Sequence, residues 1–270
     1  MSGRLVVCPT PIGNLEDITL RVLSALREAD VVACEDTRRT GVLLERYGVQ
    51  ASLVPYHEHN ERERTADLVA RMQAGAVVAL VSDAGMPLVS DPGYVLVQGC
   101  VAAGLEVEVL PGPSAAIAAL VASALPSDTW RFAGFLPRKR AALVAAFGSQ
   151  ETLVAFESPK RVAASLAVLA ELDPARPVAV CRELTKLHEE VVRGTAAEMA
   201  ERFSQPPKGE ITLVLGPGAA GERRIDPAVL RELAGAVGAR RAAAIGATLS
   251  GRGRNELYRM LTEGGQQAPG

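Results

Sequence analysis

Val77 to Val81 is an unbroken aliphatic run that stops abruptly at Ser82-Asp83-Ala84-Gly85. Five apolar residues without polar alternation need cover on both faces, so the run reads as an interior strand of a parallel sheet. The small residues after it allow a ligand to approach the backbone closely. Pro87, Pro92 and Gly93 then keep the chain irregular until a helix opens near Tyr94. Open α/β sheets bind ligands beyond the carboxyl ends of their strands. This stretch therefore asks for an α/β architecture and marks a candidate site. A tight strand-to-helix turn without a ligand is the competing reading.

The rest of the chain repeats the alternation. Strands are predicted at Arg4 to Cys8, Val31 to Cys34 and Leu53 to Tyr56, and again at Glu106 to Leu110. Helical spacing covers Thr19 to Ala29, Glu61 to Ala74 and Tyr94 to Ala103, the last stopped by Gly104. Pro111-Gly112-Pro113-Ser114 punctuates the chain, and Ser114 is placed to cap a helix running through Ala124. The character of the sequence changes there, so a boundary is expected near residues 111–116. The second half predicts strands at Thr129 to Gly134, Thr152 to Phe156, Pro177 to Cys181, His188 to Arg193 and Ile211 to Leu215. Helices open after Arg140, at Val162 and at Thr195, the last with Glu198 three residues on as in a capping box. Residues 226–262 hold two or three helical patterns, broken near Gly238 and at Gly251-Arg252-Gly253. The expected organisation is a first α/β lobe at 1–112, a second at 113–221, and a short helical extension at 222–270.

Composition narrows the class. Apolar residues make up 48% and charged residues 22% of 270, which suits globular folding with room for two cores. The longest apolar candidate, Ala115 to Leu125, is too short to cross a membrane, and the N-terminus lacks a signal-peptide layout. Cys8, Cys34, Cys100 and Cys181 show no CxxC spacing and read as buried thiols of a cytoplasmic protein. Charge is uneven: residues 1–111 carry net −6, residues 112–221 net +1, and residues 222–270 net +3 with eight arginines. The arginine-rich end hints at a polyanion partner.

Several polar clusters follow predicted strands. Glu35-Asp36-Thr37-Arg38-Arg39 is either a salt-bridged loop or a polar site. His57-Glu58-His59-Asn60 suggests metal at first sight, but the HxH pair has no helical register and the remaining histidine is His188. A helix cap or polar pocket is the expectation there, with no metal. Pro9-Thr10-Pro11-Ile12-Gly13-Asn14 occupies the place of a nucleotide loop without GxGxxG or GxxxxGK[ST], so neither a dinucleotide nor a nucleoside triphosphate is indicated.

Taken together these segments resemble one family. Pro9 to Thr19, Glu35-Asp36-Thr37-Arg38, Tyr56 to Glu61, and Ser82 to Pro87 continuing to Ser90-Asp91-Pro92-Gly93 match its first lobe. Pro111 to Ala115, Glu157-Ser158-Pro159 and Cys181 to Lys186 match its second. The chain is similar to the small-subunit ribosomal RNA methyltransferase I family of the tetrapyrrole-methylase superfamily over about residues 4–216. The helical end matches in layout only. The resemblance implies two α/β lobes, S-adenosyl-L-methionine in the cleft between them, and a homodimer. It implies methylation of the ribose 2′-hydroxyl of a cytidine in the decoding region of 16S rRNA, as free rRNA or within the small subunit. Cofactor contacts are implied at Ile12, Gly13, Ser82, Asp83, Ala84, Gly85, Ser114, Ala115, Glu157, Ser158, Leu184, Thr185, Ile211 and Thr212. Pro-Ile-Gly-Asn and Asp83-Ala84-Gly85 depart from the segments typical of the wider superfamily and argue against a porphyrin substrate.

A hydroxyl nucleophile needs an acceptor for its proton. Asp36, Arg38, His57, Glu58 and Asp91 are the candidates for the catalytic set, with Asp36 first among them. Arg138, Lys139, Arg140, Lys160, Arg161 and Arg182 are candidates for RNA phosphates. Two other readings stay open: a tetrapyrrole methyltransferase of the same fold, and a non-catalytic RNA-binding assembly protein.

Overall fold

A computed structural model describes residues 3–218, 227–250 and 253–263. Residues up to 216 pack as one unit with two five-stranded sheets, and residues from 217 onward form a second unit. In the first sheet β1 (Arg4–Val7), β2 (Val31–Cys34), β3 (Leu53–Pro55), β4 (Val77–Val81) and β5 (Glu106–Val109) lie in the order β3-β2-β4-β1-β5. Every pairing is parallel, and β4 sits at the centre between β1 and β2. Strand parity sorts the core. Leu5, Val7, Val78 and Leu80 face α3 (Glu61–Gln73) and α4 (Tyr94–Ala102), with Leu68, Met72, Leu96 and Cys100 packed on them. Val6, Cys8, Ala79 and Val81 face the other way, toward Leu23 and Leu26 of α1 (Leu20–Glu28) and Leu44 of α2 (Thr37–Arg46). The unbroken apolar character of β4 is thus the signature of a strand covered on both faces.

The helix α2 is absent from the sequence reading. Asp36 ends the loop by capping it, accepting from the Arg38 N–H at 2.8 Å. Its polar opening turn and Gly41 hide the pattern, and only Thr40, Leu43 and Leu44 are buried.

The second sheet comprises β6 (Trp130–Phe135), β7 (Thr152–Glu157), β8 (Pro177–Arg182), β9 (Glu190–Thr195) and β10 (Ile211–Leu215), in the order β6-β7-β10-β8-β9. Alternation along the sequence does not reveal that this sheet is mixed. β10 inserts antiparallel between β7 and β8, and β9 returns antiparallel on β8. One face packs on α6 (Arg140–Phe147), α7 (Val162–Leu172) and α8 (Ala196–Arg202) through Leu143, Leu166, Leu169 and Met199. The other face is covered by α5 (Ala115–Ser123), whose Ala116, Ala119 and Leu120 lie on Val154, Ala179, Cys181 and Val214. The segment that changes character near 111–116 therefore crosses from the first sheet to cover the second. Thr195 and Glu198 close the anticipated capping box on α8.

The second unit contains α9 (Pro227–Val237), α10 (Ala239–Ser250) and α11 (Arg254–Glu263), held by Leu230, Ala243 and Leu257. Gly238 ends α9 with φ 83°, whereas Gly251 and Arg252 of the second expected break lie outside the described residues. So do the junctions near 221 and 222. No helix of the described residues is long and apolar enough to cross a membrane. All four cysteines are free and buried, and burial pushes the Cys8 thiol up to about 12 and the Cys100 and Cys181 thiols up to about 11.

Candidate active site

A cavity of about 600 Å³ opens between the strand ends of the two sheets. The loops that wall it are cross-braced. Thr10 and Gly85 exchange backbone hydrogen bonds at 2.8 and 2.9 Å, joining the loops after β1 and β4, and Thr10 Oγ1 donates to the Ser82 carbonyl at 3.0 Å. Gly85 takes φ 78°, a conformation glycine adopts without cost, and a Cβ there would sit 3.4 Å from the Ile12 side chain. Leu88 and Ser90 hold φ of 71° and 68°, which costs a non-glycine residue about 1–3 kcal/mol. Glu183 and Thr185, which flank the cavity-lining Leu184, do the same at 51° and 66°. Backbone strain in loops that flank one cavity is a pointer to function.

Ile12, Ala84, Gly85, Ser114, Ala115, Glu157, Ser158, Leu184, Ile211 and Thr212 all line this cavity. Gly13, Ser82 and Asp83 line an adjoining polar pocket of about 230 Å³ that shares Ile12 and Ala84 with it. Thr185 lines neither; its hydroxyl accepts from the Asn14 N–H at 3.0 Å and so ties the first loop to the second sheet. The sequence reading missed Met86, Val89, Ser90, Phe135, Phe156, Pro159, Cys181, Gly209 and Glu210 on the cavity wall. Ser114 caps α5 by accepting from Ile117 N–H at 3.5 Å. The first-turn amides beside it have no intrahelical backbone partner and carry a partial positive charge, which favours an anionic group there. The Glu157 carboxylate is turned inward, accepting from the Ser165 hydroxyl and from Ser158 N–H at 2.7 Å.

Of the expected catalytic side chains, Asp91 lines the cavity; Asp36, Arg38, His57 and Glu58 do not. Asp36 caps α2 and is gripped by Arg38 at 2.7 and 3.1 Å. Those bonds to Arg38 hold its carboxyl well below the usual carboxylate range. His57 binds Asn60 through its backbone N–H at 2.9 Å, its carbonyl accepts from Asn60 and Glu61 at the start of α3, and its ring meets that of His59 edge-on. Glu58 is exposed. Among the described residues no cluster of three or more His, Cys, Asp or Glu is placed to hold a metal ion.

Asp91 differs in kind. Burial first, then the negative fields of Glu35 and Asp83, push its carboxyl up to about 6, with a hydrogen bond from Ser82 acting the other way. Asp83 is itself committed, accepting from Asp36 N–H at 3.1 Å and pairing with Arg39 at 2.9 Å. Glu35 lies at the end of β2, and burial and Asp83 raise its carboxyl too. A carboxylate with raised affinity for a proton, on a cavity wall, suits general-base chemistry.

The basic candidates divide. Arg138, Lys139 and Lys160 are exposed and form no ion pair among the described residues. Arg140 pairs with Glu171. Arg161 donates to the carbonyls of Leu136 and Pro137 at 3.0 and 2.8 Å, and Arg182 pairs with Glu190 at 3.1 Å.

Comparison with known proteins agrees with this geometry. The family model for Tetrapyrrole (Corrin/Porphyrin) Methylases matches residues 4–200. The ribosomal RNA small subunit methyltransferase I of Mesorhizobium japonicum is 47% identical, over 96% of this chain and 91% of its own length. The protein of the same name from Escherichia coli O157:H7 is 42% identical, over 97% and 95%. Among solved structures, uroporphyrin-III-C-methyltransferase from Thermus thermophilus superposes with a TM-score of 0.56 at 26% identity, covering 79% of this chain and 94% of that one. A diphthine synthase reaches a TM-score of 0.60 at 17% identity, over 80% and 90%, a likeness of fold. By these matches the chain belongs to the ribosomal RNA small subunit methyltransferase I family of the tetrapyrrole methylases.

Proposed function

We propose that the protein methylates small-subunit rRNA from S-adenosyl-L-methionine, on the ribose 2′-hydroxyl of a cytidine in the decoding region. The observation that carries this reading is the convergence of the small-residue loops after β1 and β4, the start of α5 and strand β10 on one cavity that also holds Asp91. The residues fit the cofactor. Ile12, Leu184, Ile211 and Phe156 supply an apolar slot, and the open amides at Ser114-Ala115 suit its carboxylate. The close Thr10–Gly85 bridge holds the backbone of Ala84-Gly85 against the cavity, where neither residue adds more than a methyl group. When bound, the cofactor supplies an electrophilic methyl group and its own leaving group.

The chain then has to orient the acceptor and remove one proton. Asp91, as carboxylate, accepts the hydroxyl proton while the ribose oxygen is held in line, a contribution of about 10²–10⁴-fold. Alignment within the cavity lowers the barrier by several kcal/mol, with about 11 as the ceiling. Arg138, Lys139 and Lys160 are free to hold phosphates, which position RNA without reading its sequence. The homodimer reading rests on α4 and α5. α5 is apolar all round and α4 is so apart from Gln98, yet Tyr94, Val101, Ile117 and Val121 are 62%, 66%, 47% and 76% exposed. Helices of that kind belong inside a packed assembly.

The porphyrinoid reading rests on a 26% likeness, the rRNA reading on relatives at 42–47% along most of the chain. Labelled-methyl transfer separates them: small-subunit rRNA should accept label, and a porphyrinogen should not. Label entering the porphyrinogen alone would reverse the assignment.

A further inference from the structure

Phe135 lines the cavity yet is 60% exposed, and nothing in the reaction derived above uses it. Its position has a specific cause. β6 and β7 pair in regular parallel register from Trp130 with Thr152 to Phe132 with Val154. The next pairing is Phe135 with Phe156, so β6 advances three residues where β7 advances two. The extra residue is a β-bulge, and Gly134 within it takes φ 62°. In an unbulged strand Phe135 would share the face of Ala133, which packs toward α6 and α7. The bulge reverses that parity and returns Phe135 to the face of Phe132 and Phe156. The three rings form a T-shaped series, with centroids 5.0 Å apart for Phe132–Phe156 and 5.5 Å for Phe135–Phe156.

The bulge also lies against the first lobe. A Cβ on Gly134 would sit 3.5 Å from Ser90 Oγ, the neighbour of Asp91. The chain leaves Phe135 through buried Leu136 and through Pro137, whose carbonyls Arg161 grips, and then presents exposed Arg138 and Lys139. One rigid segment thus carries an outward-facing ring beside the candidate base and two unpaired cations directly after it. Proteins that read single-stranded RNA use this combination: an aromatic face for an unstacked base, and cations for the backbone on either side.

Resting on the rRNA methyltransferase reading, we propose that Phe135 is the stacking platform for the nucleobase of the acceptor nucleotide. The base turns out of its strand onto the exposed face of the ring, which swings its ribose toward Asp91, and Arg138 and Lys139 hold the adjoining phosphates. Phe156 and Phe132 stiffen the ring from behind, and the Gly134 bulge sets its direction.

The test uses the full-length protein, small-subunit rRNA as substrate, and the variants Phe135→Ala and Phe135→Trp. Single-turnover methylation is measured against RNA concentration, and S-adenosylmethionine affinity by calorimetry. Phe135→Ala is expected to raise the RNA concentration for half-maximal rate about tenfold or more, within the range that loss of one stacked base gives. Cofactor affinity and Tm should stay at the wild-type value, and Phe135→Trp should restore RNA affinity because it keeps a ring face. An Ala variant indistinguishable from wild type on RNA overturns the stacking role. So does a loss of cofactor affinity, which would put the cofactor's adenine on the ring, or a changed oligomeric state with RNA affinity intact. Wild-type protein that transfers no methyl to rRNA overturns the premise itself, and the proposal with it.

Discussion

Asp91→Asn separates catalysis from folding in opposite directions. The Asp91 carboxyl rises from 3.8 to about 6, chiefly through burial and then through Glu35 and Asp83. A change of that size corresponds to about 3 kcal/mol against the ionised form. Asp91 is partly open to solvent, and screening cuts the figure to on the order of 1 kcal/mol. The folded state binds the proton more tightly than the unfolded chain, so stability is fully present below about pH 4 and is lost as pH rises through about 6. Asparagine cannot ionise, so the variant should melt about 2–4 °C higher than wild type above pH 6 and show no advantage near pH 4. Catalysis should move the other way. The wild-type single-turnover rate should climb through about pH 6 and level off, because the carboxyl must be ionised to take a proton. Asp91→Asn should fall about 10²–10⁴-fold on that plateau and lose the pH step, with cofactor affinity unchanged. Asp36→Asn is the contrast: it weakens the cap of α2 and its grip on Arg38, so Tm should fall while the rate per folded molecule stays within about twofold. Full activity in Asp91→Asn, or an unmoved pH step, would refute the assignment of the base.

Gly85→Val places a branched side chain at φ 78° on the cavity wall beside Ile12, and should abolish cofactor binding in calorimetry while circular dichroism stays folded. Deleting residues 222–270 removes eight arginines, and should weaken rRNA binding and flatten its salt dependence while leaving cofactor affinity intact. Arg176 is buried and donates to the carbonyls of Gly216, Phe147 and Ser149, the first at 2.8 Å. Arg176→Met should therefore cost about 2–4 kcal/mol in urea unfolding by leaving buried acceptors without a donor.

What the sequence revealed follows from how local each feature is. Val77 to Val81 announced a doubly covered strand because five aliphatic residues in a row leave no polar face. The boundaries of β2 and β10 were legible for the same reason. The loops beyond the strands could be marked as site because proline, glycine and small residues break elements wherever they occur. The mixed second sheet was not legible, since inserting β10 between β7 and β8 depends on pairings across 29 or more positions that no local pattern records. The same holds for Asp91. It was one of five candidate side chains, and its raised proton affinity comes first from burial in the folded chain and then from Glu35 and Asp83, brought to it from the ends of β2 and β4. Asp36 looked the stronger choice because Arg38 stands beside it, but that proximity makes a helix cap. Phe135 falls outside the expected strand, which ends at Gly134. That glycine was the one local sign of a bulge, and only the register shows that parity reverses there.

Mass spectrometry of small-subunit rRNA, incubated with S-adenosylmethionine in the presence and absence of the protein, tests the central claim most directly. Nuclease mapping followed by nucleoside analysis should find one added methyl, in the decoding region, on a nucleoside that releases unmodified cytosine when its glycosidic bond is cleaved. A methyl that stays with the base, or rRNA of identical mass in both samples, would contradict the account.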